Sequence, residues 1–373
     1  MRVIIFGHFV DHEVALAESL SKNDRVLVLM PGRTIPERFA KPVHGDFDVR
    51  FTGRSRLQLH PANIISFFEV WNQVRAFEPD IVHMEILGGF ADLAYLAMFN
   101  KYPVVMTFHD VESHKGEVLT RRNLMRGILR GRADKIIVHG QSLKEAMTER
   151  FSVPAEKVEV VPLGAPEFET FRKFQRNDIR EEENLVLFFG RIVEYKGLEY
   201  LIKAEPAITK ESPDAKIVIA GFCHDFGKYQ TMMAGREERF VVLNRFLSFE
   251  EGAELFQRSS VVVLPYVEAS QSGVVTVAYG FKKPVVATEV GSIPEIVRDG
   301  ETGYLVPPRD SQALAEAVLR LLRDKKLRGE MGERGHSMLT TSLSMDAAAA
   351  KTREVYRNAI TSRSDASTPP RHR

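Results

Sequence analysis

The sequence predicts an α/β protein made of two doubly wound Rossmann-like domains facing a central cleft, and three observations carry that expectation. Short apolar runs alternate with helix-length segments through both halves of the chain, which is the pattern of a parallel sheet covered on both faces. The rhythm breaks once, where Pro162-Leu163-Gly164-Ala165-Pro166 is turn-rich and residues 172–183 are mostly charged. The 373 residues are enough for two domains of ordinary size, each with its own core.

Taken in order, the first domain is expected over 1–165, with strands at Val3–Phe6, Arg25–Met30, Ile81–Glu85, Val104–Phe108, Lys135–Val138 and Val158–Val161. Between them, Asn63–Phe77 places Ile64, Phe67, Phe68, Trp71, Val74 and Phe77 at helical spacing, and this stripe is expected to face the core. A linker is expected over 166–183. The second domain, 184–344, repeats the logic with strands Leu185–Phe189, Lys216–Ala220, Phe240–Leu243, Val261–Leu264 and Pro284–Ala287. After Leu305 the pattern turns helical, over Gln312–Arg323 and Lys325 to about Met338. A last helix, 345–361, contains the run Ala347–Ala350, and the polar tail 362–373 is expected to be disordered.

Composition narrows the classes. With 51 Lys and Arg against 50 Asp and Glu, nothing electrostatic favours nucleic acid as the main partner. The single cysteine, Cys223, excludes an intramolecular disulfide and a cysteine-cluster metal site, and fits a reducing compartment. No apolar stretch approaches the roughly 20 residues of a membrane helix, and the chain opens as a strand rather than a secretory leader. A soluble, cytoplasmic protein is expected.

The chemistry centres on Leu185-Val186-Leu187-Phe188-Phe189-Gly190-Arg191-Ile192-Val193-Glu194-Tyr195-Lys196-Gly197. A buried strand delivers the chain to the sheet's carboxyl edge, Gly190 lets the backbone approach a ligand, and the following helix offers free N–H groups. Arg191 can grip phosphate oxygens bidentately and Lys196 adds a movable charge. The competing reading is a solvated cationic loop.

Phe189-Gly190-Arg191 followed after four residues by Lys196-Gly197 is similar to the donor-phosphate signature of retaining GT-B glycosyltransferases of family 4 (glycosyl transferases group 1). The resemblance runs from the first strand to the last helix and is strongest over 189–308. It implies the GT-B fold and a retaining, hexosyltransferase-type enzyme that takes a sugar from a nucleotide diphosphate, UDP- or GDP-linked. It further implies that Arg191 and Lys196 hold the diphosphate, that no metal or other cofactor is required, and that the last helix returns across the first domain. Glycan, polysaccharide or glycolipid synthesis is the implied setting. In the same family a Thr-x-His-Asp-like segment lies near the transferred sugar, and Thr107-Phe108-His109-Asp110 matches it. His109 is therefore expected to contact the sugar, with Asp110 a second candidate.

The donor loop departs from the family. Glu268-Ala269-Ser270-Gln271-Ser272-Gly273-Val274 follows a strand, so Gln271, Ser272, Gly273 and Val274 are expected to open a helix towards phosphate. The family's two glutamates, seven residues apart, fall on Ala269 and Val277 when counted back from Pro284, or on Glu268 and Thr276 when counted from Glu268. Glu268 remains a candidate for the sugar, but neither register supplies a carboxylate for the ribose. Gly291–Pro308 also resembles the family and is expected to be architectural.

On the acceptor side, the first strand-to-helix turn brings His8 and Asp11, and the turn after Ile81–Glu85 brings Glu85 and Gly88, as acceptor-contact candidates. Asp46-Phe47-Asp48 matches the metal-binding DxD of another glycosyltransferase class, but no strong strand precedes it and it reads as a surface loop. Residues 121–132 interleave Arg121, Arg122, Arg126, Arg130 and Arg132 with Leu124, Met125, Ile128 and Leu129. This is either a basic amphipathic helix touching anionic lipid at the inner membrane face or a domain helix with a solvated basic face. Two other functions share the fold: a nucleotide-sugar-binding protein without transfer activity, and a sugar-nucleotide epimerase.

Overall fold

The computed structural model describes residues 1–31, 47–52, 61–85, 90–110 and 120–367. They form two units: unit 1 takes Met1–Leu163 and the chain from Met345 onward, and unit 2 takes Gly164–Ser344.

In unit 1 the order is β1 (Arg2–Phe6), α1 (Val10–Ser21), β2 (Arg25–Pro31), β3 (Phe47–Thr52), α2 (Pro61–Phe77), β4 (Ile81–Glu85), α3 (Phe90–Phe99), β5 (Val104–Thr107), α4 (Thr120–Arg132), β6 (Lys135–Val138), α5 (Gln141–Glu149) and β7 (Val158–Val160). The strands form one sheet in the order β3-β2-β1-β4-β5-β6-β7, with every pairing parallel. Period-2 alternation assigns the faces. Val3, Ile5, Val26, Val28 and Ile137 pack towards α1, whereas Ile4, Phe6, Leu27, Leu29 and Met84 pack towards α2, α3, α4 and α5.

Strand β3 is not legible as an apolar run because Phe47-Asp48-Val49-Arg50-Phe51 alternates polar and apolar residues, as suits a strand at a sheet edge. Asp48 therefore lies in a strand rather than a surface loop, with Arg50 3.6 Å away, while Asp46 lies outside the described residues.

Helix α2 also departs from expectation. Val70 and Val74 are fully buried, but Ile64, Phe68 and Trp71, expected in the core stripe, point outward.

Unit 2 runs α6 (Pro166–Phe171), β8 (Leu185–Phe189), α7 (Leu198–Glu211), β9 (Lys216–Ala220), α8 (Gly227–Met233), β10 (Phe240–Leu243), α9 (Phe249–Arg258), β11 (Val261–Leu264), α10 (Gly273–Gly280), β12 (Val285–Thr288), α11 (Ile293–Ile296), β13 (Gly303–Val306), α12 (Ser311–Arg323) and α13 (Lys325–Thr340). Its parallel sheet has the order β10-β9-β8-β11-β12-β13. Residues 166–183 are folded into this unit rather than strung between units. Phe168 and Phe171 of α6 are buried against the same core as Leu187 and Phe256, and Glu181 bonds the buried Lys283 and Arg328 at 2.9 and 3.0 Å.

The chain then re-enters unit 1 as α14 (Met345–Ser367), longer than the helix read from sequence. It buries Ala348, Ala349, Val355, Tyr356 and Ala359 on the α1 face of the sheet. Arg353 bonds Asp24 at 2.7 Å and Arg363 bonds Asp134 at 2.9 Å. Burying a side chain as large as Tyr356 contributes on the order of 2–3 kcal/mol. Among the described residues no helix is long and apolar enough to cross a membrane.

Candidate functional site

Both sheets reverse their strand order beside their first strand, between β1 and β4 in unit 1 and between β8 and β11 in unit 2. Carboxyl-end loops part at such points, which is where open α/β sheets place ligands. Each unit carries a cluster of candidate residues there.

In unit 1, Glu85 is the last residue of β4 and only 2% exposed. Its Oε1 accepts a hydrogen bond from His12 Nδ1 at 2.6 Å, and its Oε2 accepts one from His109 Nε2 at 3.0 Å. Burial alone would raise this carboxyl, but the charge of His12 and the hydrogen bonds from His109 and His12 hold it well below the usual range. Glu85 is thus an ionised carboxylate out of solvent. Its two oxygens meet the two histidines, and it fixes both rings.

The other nitrogen of His12 meets the Leu163 carbonyl at 3.1 Å, and a carbonyl can only accept. Both His12 nitrogens therefore carry protons, and His12 is the imidazolium counter-ion of Glu85. His109 meets the carboxylate through its Nε2.

Glu13 is fully buried beside this pair and behaves oppositely. Burial first, and the Glu85 charge second, raise its carboxyl well above the ordinary range, so it is held protonated, and its Oε1 accepts from Phe9 N–H at 3.0 Å. Gly7 makes room for the two acids, since a Cβ there would stand 2.0 Å from Glu13 Oε1 and 2.8 Å from Glu85 Cβ.

His139 completes the cluster, with its ring 4.9 Å from that of His109. Its Nδ1 donates to the Val161 carbonyl at 3.0 Å, and burial keeps it neutral. Its Nε2 is buried without a hydrogen-bond partner among the described residues.

Behind the cluster, His83 joins the Tyr356 hydroxyl and the Thr107 hydroxyl, each at 2.7 Å, which ties α14 to the end of β5, two residues before His109. Burial pushes His83 down to about 4, so it is neutral.

His8 lies 4.0 Å from Asp92 and is partly exposed, as are Asp11 and Asp110, whereas Gly88 lies outside the described residues. His12, Glu85 and His109 offer ligand-type atoms within 4.8 Å of one another. Those atoms are hydrogen-bonded together, so the arrangement is already neutralised by His12.

In unit 2, β8 ends at Gly190, which has φ +112°. The Lys196 ammonium lies over it, 2.9 Å from where a Cβ would stand, and Val274 borders the same space. Gly197 turns the chain into α7 at φ +64°, and a Cβ there would meet the Pro265 carbonyl oxygen at 1.9 Å. Glycine at 190 and 197 is therefore what lets the loop fold against the end of β11. Arg191 is exposed, and Lys196 also faces the Tyr266 ring at 5.0 Å. Lys196 and Val274 thus approach Gly190, with the exposed Arg191 next in the chain.

Ser272 is the N-cap residue of α10 and Gly273 its first residue, but the Glu167 carboxyl carbon stands 2.7 Å from a Cβ at Gly273. A carboxylate thus already sits at this helix end, which the sequence assigned to phosphate. Glu268 is partly exposed, and Gln271 Oε1 is buried without a partner among the described residues. Val277 and Thr276 are both buried, Val277 within the unit 2 core.

One feature of this edge was not legible. Phe246 is 76% exposed and stacks on Phe222 at 4.7 Å and 21°, and the Phe222 carbonyl accepts from Ile192 N–H at 3.0 Å. Each aromatic is commonplace alone, and only the β9 and β10 loops bring them together beside Arg191.

On the arginine-rich helix α4, Arg132 is exposed while two other arginines turn inward. Arg126 and Arg130 are buried, and Arg130 stacks over Phe151 at 3.8 Å, its charge disfavoured by burial and by Arg126.

Residues 183–324 match the family model described as glycosyl transferases group 1, and residues 12–166 match that of glycosyltransferase family 4. Among curated relatives, the chain is 29% identical to alpha-D-kanosaminyltransferase of Streptomyces kanamyceticus over 61% of each protein. It is 26% identical to phosphatidyl-myo-inositol mannosyltransferase of Mycobacterium leprae over 86% of this chain and 85% of that one. The match spans about three fifths of the length of the kanosaminyltransferase.

Among solved structures, sucrose-phosphate synthase from Thermosynechococcus elongatus superposes with TM-score 0.73 at 20% identity, covering 96% of this chain and 99% of that one. Anabaena HepE in complex with UDP gives 0.72 at 17% identity, covering 96% and 100%, and HepE is also solved with UDP-glucose. The architecture is that of the GT-B glycosyltransferases.

Proposed function

Because the chain belongs to the glycosyltransferases of group 1 and family 4, we propose that it moves a sugar from a nucleotide diphosphate donor to a glycan or lipid-linked acceptor. The approach of the Lys196 ammonium to Gly190, beside the exposed Arg191, carries this reading. The two cations follow β8 at a switch point, and glycine at 190 leaves the space above the chain to the Lys196 ammonium. The complexes of HepE with UDP and UDP-glucose support a uridine-linked donor.

In this reading the diphosphate lies on Gly190 with Lys196 and Arg191 neutralising it, rather than at Gly273, whose open side the Glu167 carboxyl group fills. The base stacks on the exposed face of Phe246. Charge that develops on the departing diphosphate is stabilised by groups already in place, so no metal is required. In unit 1, His109, which Glu85 holds at 3.0 Å, is the proposed contact to a sugar hydroxyl. Transfer proceeds with retention, the leaving phosphate oxygen taking the acceptor proton.

One observation favours a second reading, a nucleotide-sugar-binding protein without transfer activity. Positions 276 and 277 hold a buried threonine and a buried valine, so no carboxylate is present there to hold the ribose. A charge-assisted hydrogen bond of that kind contributes on the order of 1.5–3 kcal/mol.

Calorimetry with UDP, GDP, ADP, CMP and their sugars, in chelator and then with Mg²⁺ or Mn²⁺, tests the site. One nucleotide sugar should bind in chelator, and Arg191→Ala or Lys196→Ala should each weaken it at least about tenfold. Unchanged affinity in both variants refutes the phosphate recess, and strict metal dependence refutes the metal-free reading. Donor turnover with release of nucleotide diphosphate separates transfer from binding alone.

A further inference from the structure

Four neighbouring strands of the unit 1 sheet, β1, β4, β5 and β6, each deliver one ligand-type side chain to the carboxyl edge. His12 comes from the first turn of α1 after β1, and Glu85 is the last residue of β4. His109 follows β5 by two residues and His139 follows β6 by one. All four are buried.

The three rings are spaced as ligands of one ion would be. Their centres are 5.2 Å apart for His12 and His109, 5.6 Å for His12 and His139, and 4.9 Å for His109 and His139. Histidines that share one tetrahedral zinc, with Zn–N of about 2.0–2.1 Å, have ring centres about 5 Å apart. The ligand-type atoms of His12, Glu85 and His109 already lie within 4.8 Å of one another.

Two of the histidines also commit their outer nitrogens as metal-bound histidines do. His12 Nε2 meets the Leu163 carbonyl at 3.1 Å and His139 Nδ1 meets the Val161 carbonyl at 3.0 Å, which assigns the ligand role to the other nitrogen of each ring. In His139 that nitrogen, Nε2, is buried with no partner among the described residues. Ring packing alone would explain the spacing but would leave this buried acceptor unpaired, which folded proteins rarely do.

From this arrangement we propose that His12, Glu85, His109 and His139 form a closed zinc site at the carboxyl edge of unit 1. Three imidazoles and one carboxylate suit Zn²⁺, and four buried ligands leave no open position, so the ion is structural and clips four adjacent strands together. In the metal-free protein the extra proton on His12 neutralises Glu85. Zinc takes its place: His12 releases its Nδ1 proton to solvent, and His109 shifts its proton from Nε2 to Nδ1. The site lies in unit 1 and the phosphate candidates lie in unit 2, so the proposal does not depend on the donor reading.

The full chain is stripped with chelator, returned to metal-free buffer and titrated with Zn²⁺ by calorimetry, then with Co²⁺ followed by visible absorption. One ion should bind per chain and raise the thermal midpoint. Cobalt should show the intense absorption of a four-coordinate site without a thiolate band, since Cys223 lies in unit 2. His139→Gln should lower zinc affinity at least about a hundredfold, because loss of even an outer partner of a ligand costs about 10–100-fold. His109→Gln should do the same and carries the test if His139→Gln does not fold. His8→Ala, at the partly exposed histidine beside Asp92, should leave zinc binding unchanged.

No binding at millimolar zinc overturns the proposal, as does full zinc affinity in folded His139→Gln or His109→Gln. Loss of binding in His8→Ala alone, or the weak absorption of six-coordinate cobalt, marks a surface site and overturns it as well.

Discussion

Replacing Glu85 by glutamine should destabilise unit 1 far more than such a conservative change would at a surface. Glutamine keeps the shape, and its amide oxygen can still accept from one histidine. Its NH₂ group then confronts the N–H of the other, and the His12 imidazolium loses its counter-ion in a site where the Glu85 side chain has no exposure. Hydrogen bonds to a charged group contribute about 1.5–3 kcal/mol each, and breaking one side of a buried pair costs about 3–5 kcal/mol. The expected loss near neutral pH is therefore about 3–5 kcal/mol.

The sign of the pH dependence follows from the depressed carboxyl. Its contribution is present above the unfolded glutamate value, about 4.3, and is lost as pH falls through the lower folded value. The gap between wild type and variant should accordingly close in acid.

Urea unfolding followed through Trp71 is the assay, since that residue lies in unit 1. Adding His12→Asn to Glu85→Gln should recover part of the loss, because no lone charge is then left buried. A loss below about 1 kcal/mol, the scale of an exposed pair, would refute the buried ion pair.

Two further outcomes follow from the same burial. Glu13 is held protonated, so folding takes up a proton wherever the unfolded glutamate is ionised. Wild-type stability should fall by up to about 1.4 kcal/mol per pH unit from the ordinary glutamate range up to its raised value. Glu13→Gln should remove that slope, measured as urea midpoints across pH, and a variant retaining it would show that Glu13 is not the group. Val277→Glu, which restores the residue type common in the family, should lower the thermal midpoint and cost more than about 3 kcal/mol, because the side chain enters the unit 2 core. A stable variant with tightened nucleotide binding would mean that Val277 faces the ligand.

Much of the architecture was legible, because a parallel strand buried on both faces must be a short, continuous apolar run. Ile81–Glu85, Lys135–Val138 and Val261–Leu264 announce themselves in that way. The two strands not foreseen lack the signature. Strand β3 alternates polar and apolar residues at a sheet edge, and β13 opens on Gly303 and also lies at an edge. The α2 stripe misled for a related reason: helical periodicity shows that apolar residues share a face, but not which face the sheet covers.

Among the candidate sites, the pairing of Gly190 with Lys196 joins residues that are neighbours in sequence. The positive φ of Gly190 and Gly197 is a local property that glycine signals. The cluster of His12, Glu13, Glu85, His109 and His139 was readable only in fragments, since its members come from loops and a helix far apart along the chain. In the sequence Glu85 stands at a strand end open to an acceptor, and no neighbouring motif marks Glu167.

By itself, then, the sequence determined where the strands and the phosphate-type glycines lie, because burial pattern and backbone conformation are properties of a residue and its near neighbours. Tertiary structure alone decided which carboxyl is ionised, which helix end is already occupied, and which face of α2 meets solvent. Those depend on desolvation and on charges brought close by folding, and neither is encoded at any single position.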